Sequence, residues 1–309
     1  MSGRRILVTG GTGFIGRALV GRLVRDGHEV TCLVRGGGPT PAGAHALEIA
    51  ALDEAGLHAV PVEGPFDTLF HLAAYGVRPE QRDASAMAWT NVAGTVALTA
   101  IAKRWSVAGI VYAGSCSEYA EPTEHRPVGE GDALTSTALY GASKAAGGMI
   151  GRAMAETLGI GFSWMRLFGT YGPGEADYRL IPYLIGRLGR GEEVDLTPGA
   201  QARDFLHVDD VVEGLVAAAE ITRPGRTDVF NLCSGQPVTV GQVAEKVADA
   251  LGRPRALLRF GARPYRHDEL MWLVGDGTRF REATGWTPGI GLDDGIASMV
   301  SALAERRSP

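Results

Sequence analysis

Thr9-Gly10-Gly11-Thr12-Gly13-Phe14-Ile15-Gly16, directly behind the apolar run of residues 4–9, decides the fold of this 309-residue chain. A short apolar run ending on glycines has the pattern of a buried parallel strand. Residues 14–26 then place Ile15, Leu19, Leu23 and Val24 on one face of a helix. Gly27 supplies a stop signal, and Glu29 to Val34 returns as strand. The glycines at 10, 13 and 16 therefore lie between a strand and a helix N-terminus. There, small residues let the backbone approach a pyrophosphate, and unpaired N–H groups with the positive end of the helix dipole attract it. Strand–loop–helix context separates such a cradle from a plain glycine turn.

Working outward, further strands are expected at Ala46–Ala50, Thr68–Leu72, Gly109–Ala113, Phe162–Leu167 and Val229–Leu232, with helices at 84–104, 138–158 and 208–220. Alternation of this kind predicts an α/β fold: a Rossmann-type doubly wound parallel sheet covered on both faces. The segment 172–201 and the tail from Gly235 are different in texture, the former rich in Gly and Pro. We expect residues 1–169, with 204–234 returning, to form the dinucleotide-binding domain, and 170–203 with 235–309 a smaller substrate-binding lobe.

Composition removes several classes. Apolar residues make up 45% and charged residues 21%, the balance of a soluble globular enzyme. Net charge is −5 with both signs interspersed, so no basic stripe invites nucleic acid. Cys32, Cys116 and Cys233 are odd in number and far apart, which fits a reducing cytoplasm rather than a disulfide framework. No Cys/His spacing matches a zinc site, and no uninterrupted apolar run reaches membrane-spanning length. Arg4-Arg5 ahead of Ile6-Leu7-Val8 is not a leader, because glycines break the apolar core at once. Gly36-Gly37-Gly38 reads as a flexible surface loop.

The second informative run is Tyr140-Gly141-Ala142-Ser143-Lys144. Four residues on a helix put Tyr140 and Lys144 on one face. An ammonium beside a phenol stabilises phenolate and draws its pKa down from ~10 towards neutrality, which suits a general acid/base.

Together these motifs resemble the extended short-chain dehydrogenase/reductases, the NAD-dependent epimerase/dehydratase family. The ordered matches also include His71-Leu72-Ala73-Ala74, Asn91-Val92-Ala93-Gly94-Thr95, Arg166-Leu167-Phe168-Gly169-Thr170-Tyr171-Gly172-Pro173 and Arg203-Asp204-Phe205-Leu206-His207-Val208-Asp209-Asp210. The resemblance implies cofactor contacts from Gly10, Thr12, Gly13, Phe14, Ile15, Gly16, Leu72, Ala73, Ala74, Tyr140 and Lys144. Asp53 resembles the family's adenine contact, with a helix cap as the alternative reading. The second strand ends Val34-Arg35 where NAD-selective members carry an acid, and an arginine grips a 2′-phosphate; NADP is therefore the expected cofactor. Ser115 falls where the family keeps the hydroxyl that polarises the substrate carbonyl, and Ser117 is the alternative, also lining the substrate site. Position 117 carries a glutamate in related dehydratases and a cysteine in epimerase/reductases. Serine is a poor base, so plain carbonyl–alcohol interconversion is expected. Cys116 would point elsewhere if the loop is extended.

Arg203 and Arg266 match arginines that contact a substrate diphosphate, although Gly169 stands where the family offers an asparagine. Arg166 is assigned to structure, Asp209 and Asp210 to helix capping, and Asn91 to a helix near the active serine. His71 and His207 have no evident catalytic partner. The implied activity is NADPH-dependent reduction of a 4-keto-6-deoxy nucleotide sugar, with a nucleoside-diphosphate-sugar partner. The alternatives are an NAD-dependent 4-epimerase and a non-catalytic cofactor-binding sensor. A homodimer through helices 84–104 and 138–158 is implied, with Ala142, Ala145, Ala146, Gly147 and Gly148 permitting close packing.

Overall fold

The computed structural model describes residues 3–36, 40–62, 64–267 and 269–305, so Gly37 and Gly38 of the triple-glycine loop lie outside the described residues. In chain order the elements are β1 (Arg5–Thr9), α1 (Phe14–Arg25), β2 (Glu29–Val34), β3 (His45–Glu48), α2 (Glu54–His58), β4 (Phe66–His71), α3 (Ala84–Met87), α4 (Gly94–Arg104), β5 (Val107–Ser115), α5 (Leu139–Leu158) and β6 (Gly161–Leu167). They continue with β7 (Gly169–Tyr171), α6 (Leu180–Gly189), β8 (Val194–Asp195), β9 (Ala202–His207), α7 (Val208–Ile221), β10 (Thr227–Leu232), β11 (Pro237–Thr239), α8 (Val240–Ala250), β12 (Leu258–Arg259), β13 (Trp272–Leu273), α9 (Thr278–Thr284) and α10 (Leu292–Glu305).

Seven strands form the main sheet in the order β3-β2-β1-β4-β5-β6-β10, every pairing parallel. The chain runs outward from β1 to β3 and then returns to start β4 on β1's other side. That reversal opens a crevice at the carboxyl ends of β1 and β4. Register makes the ends level: Thr9 pairs with Leu33 of β2 and with His71 of β4.

Strand pleating divides the core. Ile6 and Val8 point to one face with Leu19, Val211, Leu215 and Phe230, while Leu7 points to the other with Leu98, Ile101, Trp105 and Phe162. A third apolar cluster, from α6 (Ile181, Leu184, Ile185, Leu188), α8 (Val243, Val247) and α10 (Ile296, Met299), fills the smaller body of the chain. There β9 pairs with β7, β11 and β13. Pro182 and Gly186 interrupt the periodicity of α6, and no helix in this part of the chain was expected from sequence.

The expected strands and helices of the main sheet are all present. Strand ends differ: β5 extends to Ser115 because Gly114 and Ser115 stay in register with Arg166 and Leu167 of β6. The helix expected at 84–104 is continuous, but residues 88–93 open into a π-helical turn. Length and composition alone would let this run cross a membrane, yet here Asn91, Leu98 and Ile101 pack inward.

The expected role of the glycines on α5 needs correction. A Cβ on Gly147 would sit 2.2 Å from the Asn91 carbonyl oxygen, and one on Gly148 2.3 Å from the Trp164 ring. Both glycines therefore face inward, letting α5 lie against the π turn and β6. The outward face of α5 carries Ala142, Ala146, Met149 and Ile150 instead.

Replacing Gly147 by Ala is expected to overpack this contact and destabilise the fold by about 1–3 kcal/mol. Urea denaturation measures it; unchanged stability would show that the helix contact is not tight.

Candidate active site

The glycine-rich loop is built for close approach. Gly10 has φ +71, and a Cβ there would lie 2.7 Å from the Leu72 and Ala73 backbone. A Cβ on Gly16 would be 2.0 Å from the Gly10 carbonyl oxygen. Gly13 is the N-cap of α1, whose first turn carries no side-chain cap and no acidic residue. Thr12, Phe14 and Ile15 thus surround an uncapped helix N-terminus open to an anion, which is the donor set a pyrophosphate needs. Arg17 spans the loop, donating to the carbonyls of Thr12 (2.7 Å) and Gly174 (3.4 Å). Arg35 is exposed at the end of β2, on the same edge. Asp53 caps α2, accepting from the Gly56 N–H at 2.8 Å.

Behind the loop, a hydrogen-bond chain ties β1, β4 and the π turn. Ala73 N–H donates to Thr9 Oγ1 (3.2 Å), which lies 2.8 Å from His71 Nδ1. His71 Nε2 lies 3.1 Å from Thr95 Oγ1, which donates to the Asn91 carbonyl. Because Thr95 spends its proton on that carbonyl, His71 Nε2 carries the imidazole hydrogen and Nδ1 accepts from Thr9. Burial, with Lys144 nearby, lowers the His71 pKa to about 3, so the ring is neutral. The Asn91 side chain continues the chain, accepting from Tyr75 N–H and donating to the Tyr75 carbonyl and to Ser143 Oγ. Asn91 was expected near the active serine; it is clamped to Ser143, beside Lys144, because the π turn swings it towards α5.

Tyr140 and Lys144 occupy the first turns of α5. Tyr140 is half-buried, with its phenol beside the Ser115 side chain. Its pKa is raised, not lowered: burial and the negative charge of Glu118 dominate. The expected depression by Lys144 is thereby overturned for the protein alone. Lys144 is buried, with Nζ 4.2 Å from the centre of the Tyr112 ring. Burial pulls its pKa down and Glu118 opposes that shift.

Ser115 ends β5 and caps a single 3₁₀ turn, Cys116–Glu118. Its Oγ accepts from Ser117 N–H at 3.1 Å, and Glu118 Oε1 accepts from Ser115 N–H at 2.8 Å. The loop is therefore not extended. Cys116 packs against the cluster of Tyr119, Val128, Phe168, Cys233 and Leu273, and burial, with Asp204 nearby, pushes its thiol pKa up. The Ser117 carbonyl packs under Gly141, where a Cβ would approach to 1.9 Å.

Glu118, which sequence reasoning missed, is fully buried and paired with Arg166 (Oε2 to Nε 3.0 Å). Arg166 also donates to Tyr119 Oη (2.8 Å) and to the Glu130 carbonyl (3.0 Å), and Tyr119 donates to Asn231. Its reading as structural agrees with this placement. The alternation that marks strands gives no warning of a charged pair under the site; Glu118 three residues after a capping serine was the available signal.

Arg203 reaches the same region but is not free. Its Nη2 lies 3.0 Å from Glu269 and its Nη1 donates to the Ala202 carbonyl. Arg266 is exposed. A third cation was not expected: Arg179, at the N-cap of α6, acts electrostatically on both Tyr140 and Cys116 and pairs with Glu175. Burial lifts the Glu175 pKa to about 7. His207, not Asp209 or Asp210, caps α7; Asp210 instead accepts from the N–H groups of Gly289 and Ile290. Among the described residues, no group of three or more His, Cys, Asp or Glu could hold a metal ion.

A dinucleotide-type crevice joined to a Ser/Tyr/Lys cluster defines a nicotinamide-dependent enzyme of the short-chain type. Residues 6–233 match the model of the NAD dependent epimerase/dehydratase family, and the chain belongs to that family. It is 31% identical to a UDP-glucose 4-epimerase of Mycolicibacterium smegmatis over 96% of this chain and 97% of that one. It is 29% identical to a dTDP-6-deoxy-L-talose 4-dehydrogenase (NAD(P)(+)) of Kitasatospora kifunensis, over 96% and 95%. The structure of MoeE5 in complex with UDP-glucose and NAD superposes with a TM-score of 0.85 at 30% identity, covering 98% of this chain and all of that one.

His71 provides a test of the neutral core. Only the unfolded chain takes up its proton between pH about 6.5 and about 3, so stability present at neutral pH is lost as pH falls through that window. Between pH 7 and pH 5 the loss is about 2 kcal/mol. Urea titrations at both pH values should show this slope in the wild type and a flatter one in His71→Asn; equal slopes would mean that His71 takes up its proton alike in the folded and unfolded chain.

Proposed function

We propose that the protein is an NADPH-dependent reductase of a 4-keto-6-deoxy nucleotide sugar, with residues 170–203 and 235–309 as the substrate lobe. The observation that carries this reading is the placement of Tyr140 and Lys144 one turn apart at the start of α5, with the Tyr140 phenol beside Ser115 at the end of β5. At neutral pH the phenol carries the proton that a reduced ketone oxygen takes up; burial and Glu118 raise its pKa, which makes that proton harder to give and leaves Lys144 to offset the cost. The bound nicotinamide supplies hydride to the ketone carbon. Ser115, whose oxygen already accepts from Ser117 N–H, keeps its own hydrogen to polarise the carbonyl. Lys144 holds the nicotinamide ribose and adds positive charge beside the developing alkoxide. Serine at 117 lacks the basicity for dehydration or for epimerisation next to the ketone.

Support for the cofactor form comes from Arg35, exposed at the end of β2 with no acid on that strand end. Arg203 and Arg266 serve the substrate diphosphate, for which Arg203 exchanges Glu269. Leu72, Ala73 and Ala74 flank the cofactor and Asp53 marks the adenine end. A second copy covers the outward face of α4 and α5, where Trp89, Met149 and Ile150 are exposed, and the site of action is the cytoplasm. A second reading, 4-epimerisation with tightly held NAD, is favoured by the identity to UDP-glucose 4-epimerase.

Tyr140→Phe is expected to lower kcat by on the order of 1,000-fold while leaving the NADPH Kd unchanged, since it removes a general acid and little else. Fluorescence titration and NADPH oxidation with dTDP-4-keto-6-deoxyglucose check both halves. Surviving turnover would remove Tyr140 from the chemistry. Arg35→Ser is expected to weaken NADPH about 10–100-fold against NADH, the worth of a charged hydrogen bond. A protein that purifies with NAD and interconverts UDP-glucose without added reductant establishes the epimerase instead.

A further inference from the structure

We infer that Glu118 is a positioning residue for this reaction: its carboxylate fixes the backbone of Ser115 so that the serine hydroxyl meets Tyr140. The inference rests on the functional reading above for its kinetic consequence, but its geometry stands alone. Glu118 has no exposed surface. One carboxylate oxygen accepts from Ser115 N–H at 2.8 Å, and the other accepts from Arg166 Nε at 3.0 Å. Ser115 Oγ accepts in turn from Ser117 N–H, closing a reciprocal cap in which both ends of the turn are held. The serine is left with one hydrogen to give, and its direction is set by the cap.

The surroundings are shaped for this carboxylate. A Cβ on Gly114 would lie 2.4 Å from Trp164 Nε1 and 2.6 Å from Glu118 Oε1, so glycine leaves room for both the indole and the carboxylate against the strand end. Arg166 is fixed independently, its guanidinium 4.4 Å from the Trp164 ring centre and 4.9 Å from that of Tyr119. It therefore holds Glu118 from the side away from the cleft. On the cleft side, the first turn of α5 rests on the same 3₁₀ turn through Gly141. Serine and tyrosine thus share one support, and a shift of the turn moves one relative to the other.

Removing Glu118 alone would strand a buried guanidinium, so the test removes both charges. Glu118→Met with Arg166→Met deletes the acceptor; Glu118→Gln with Arg166→Met restores an amide oxygen for Ser115 N–H. Gly114→Ala crowds the carboxylate together with the Trp164 ring, without altering either charge. Circular dichroism selects the folded variants, and either disrupting variant carries the comparison. Three quantities are read: amide hydrogen exchange over residues 115–118, NADPH affinity, and kcat and KM with dTDP-4-keto-6-deoxyglucose. The disrupting variants should exchange these amides faster and lose kcat on the order of 100-fold, the cost of misplacing a reacting group by about 1 Å. NADPH affinity and KM should stay within about threefold and the glutamine variant should recover about tenfold of the loss. Unchanged exchange in the disrupting variants, or equal kcat in the methionine and glutamine pairs, overturns the inference. If the wild-type protein does not reduce this sugar, the functional reading fails while amide exchange still decides the role of Glu118.

Discussion

A neutral imidazole between two threonines holds the two halves of the site together. His71 lies at the end of β4, level with Thr9 at the end of β1, and both its nitrogens are engaged. The chain of donors runs one way, from Ala73 N–H through Thr9, His71 and Thr95 to the Asn91 carbonyl. It starts beside the glycine loop and ends at the π turn that clamps Ser143. Charging the ring would leave two donors facing a chain with one acceptor, in a place that water does not reach. Neutrality is therefore a condition of the geometry.

Electrostatics in the cleft follow from burial more than from pairing. Lys144 and Glu118 are both out of solvent and shifted towards their neutral forms by desolvation; Glu118 opposes that shift in Lys144, while Arg166, more than Lys144, opposes it in Glu118. Such a pair titrates as a unit. Burial first, and then the Glu118 carboxylate, raise the Tyr140 pKa above that of a free phenol. Two arginines facing the cleft, Arg179 and Arg203, are each occupied by a glutamate. An anion that meets either arginine competes with the carboxylate already paired to it.

Much of this was legible in sequence because it is local. The cradle needs glycine at positions where a Cβ would strike backbone, and 10, 13 and 16 follow a strand at once. Tyr140 and Lys144 share a face by helical spacing, and the strands of the main sheet announce themselves by apolar runs. What the sequence left unread involves partners far apart in the chain. Asn91 is 52 residues from Ser143, and Glu118 is 48 from Arg166. Gly147 and Gly148 were assigned an outward role because spacing says nothing about which neighbour fills the space left by a missing side chain.

By itself, then, the sequence determined the element types, the cradle at the β1 crevice, and which residues could carry hydride and proton chemistry, since these depend on period, glycine placement and residue type. Only the tertiary structure decided the protonation of His71 and Tyr140, the inward packing of α5 and the buried charge pair beneath Ser115. Those depend on desolvation and on contacts across the sheet, quantities that no stretch of chain contains until it is folded.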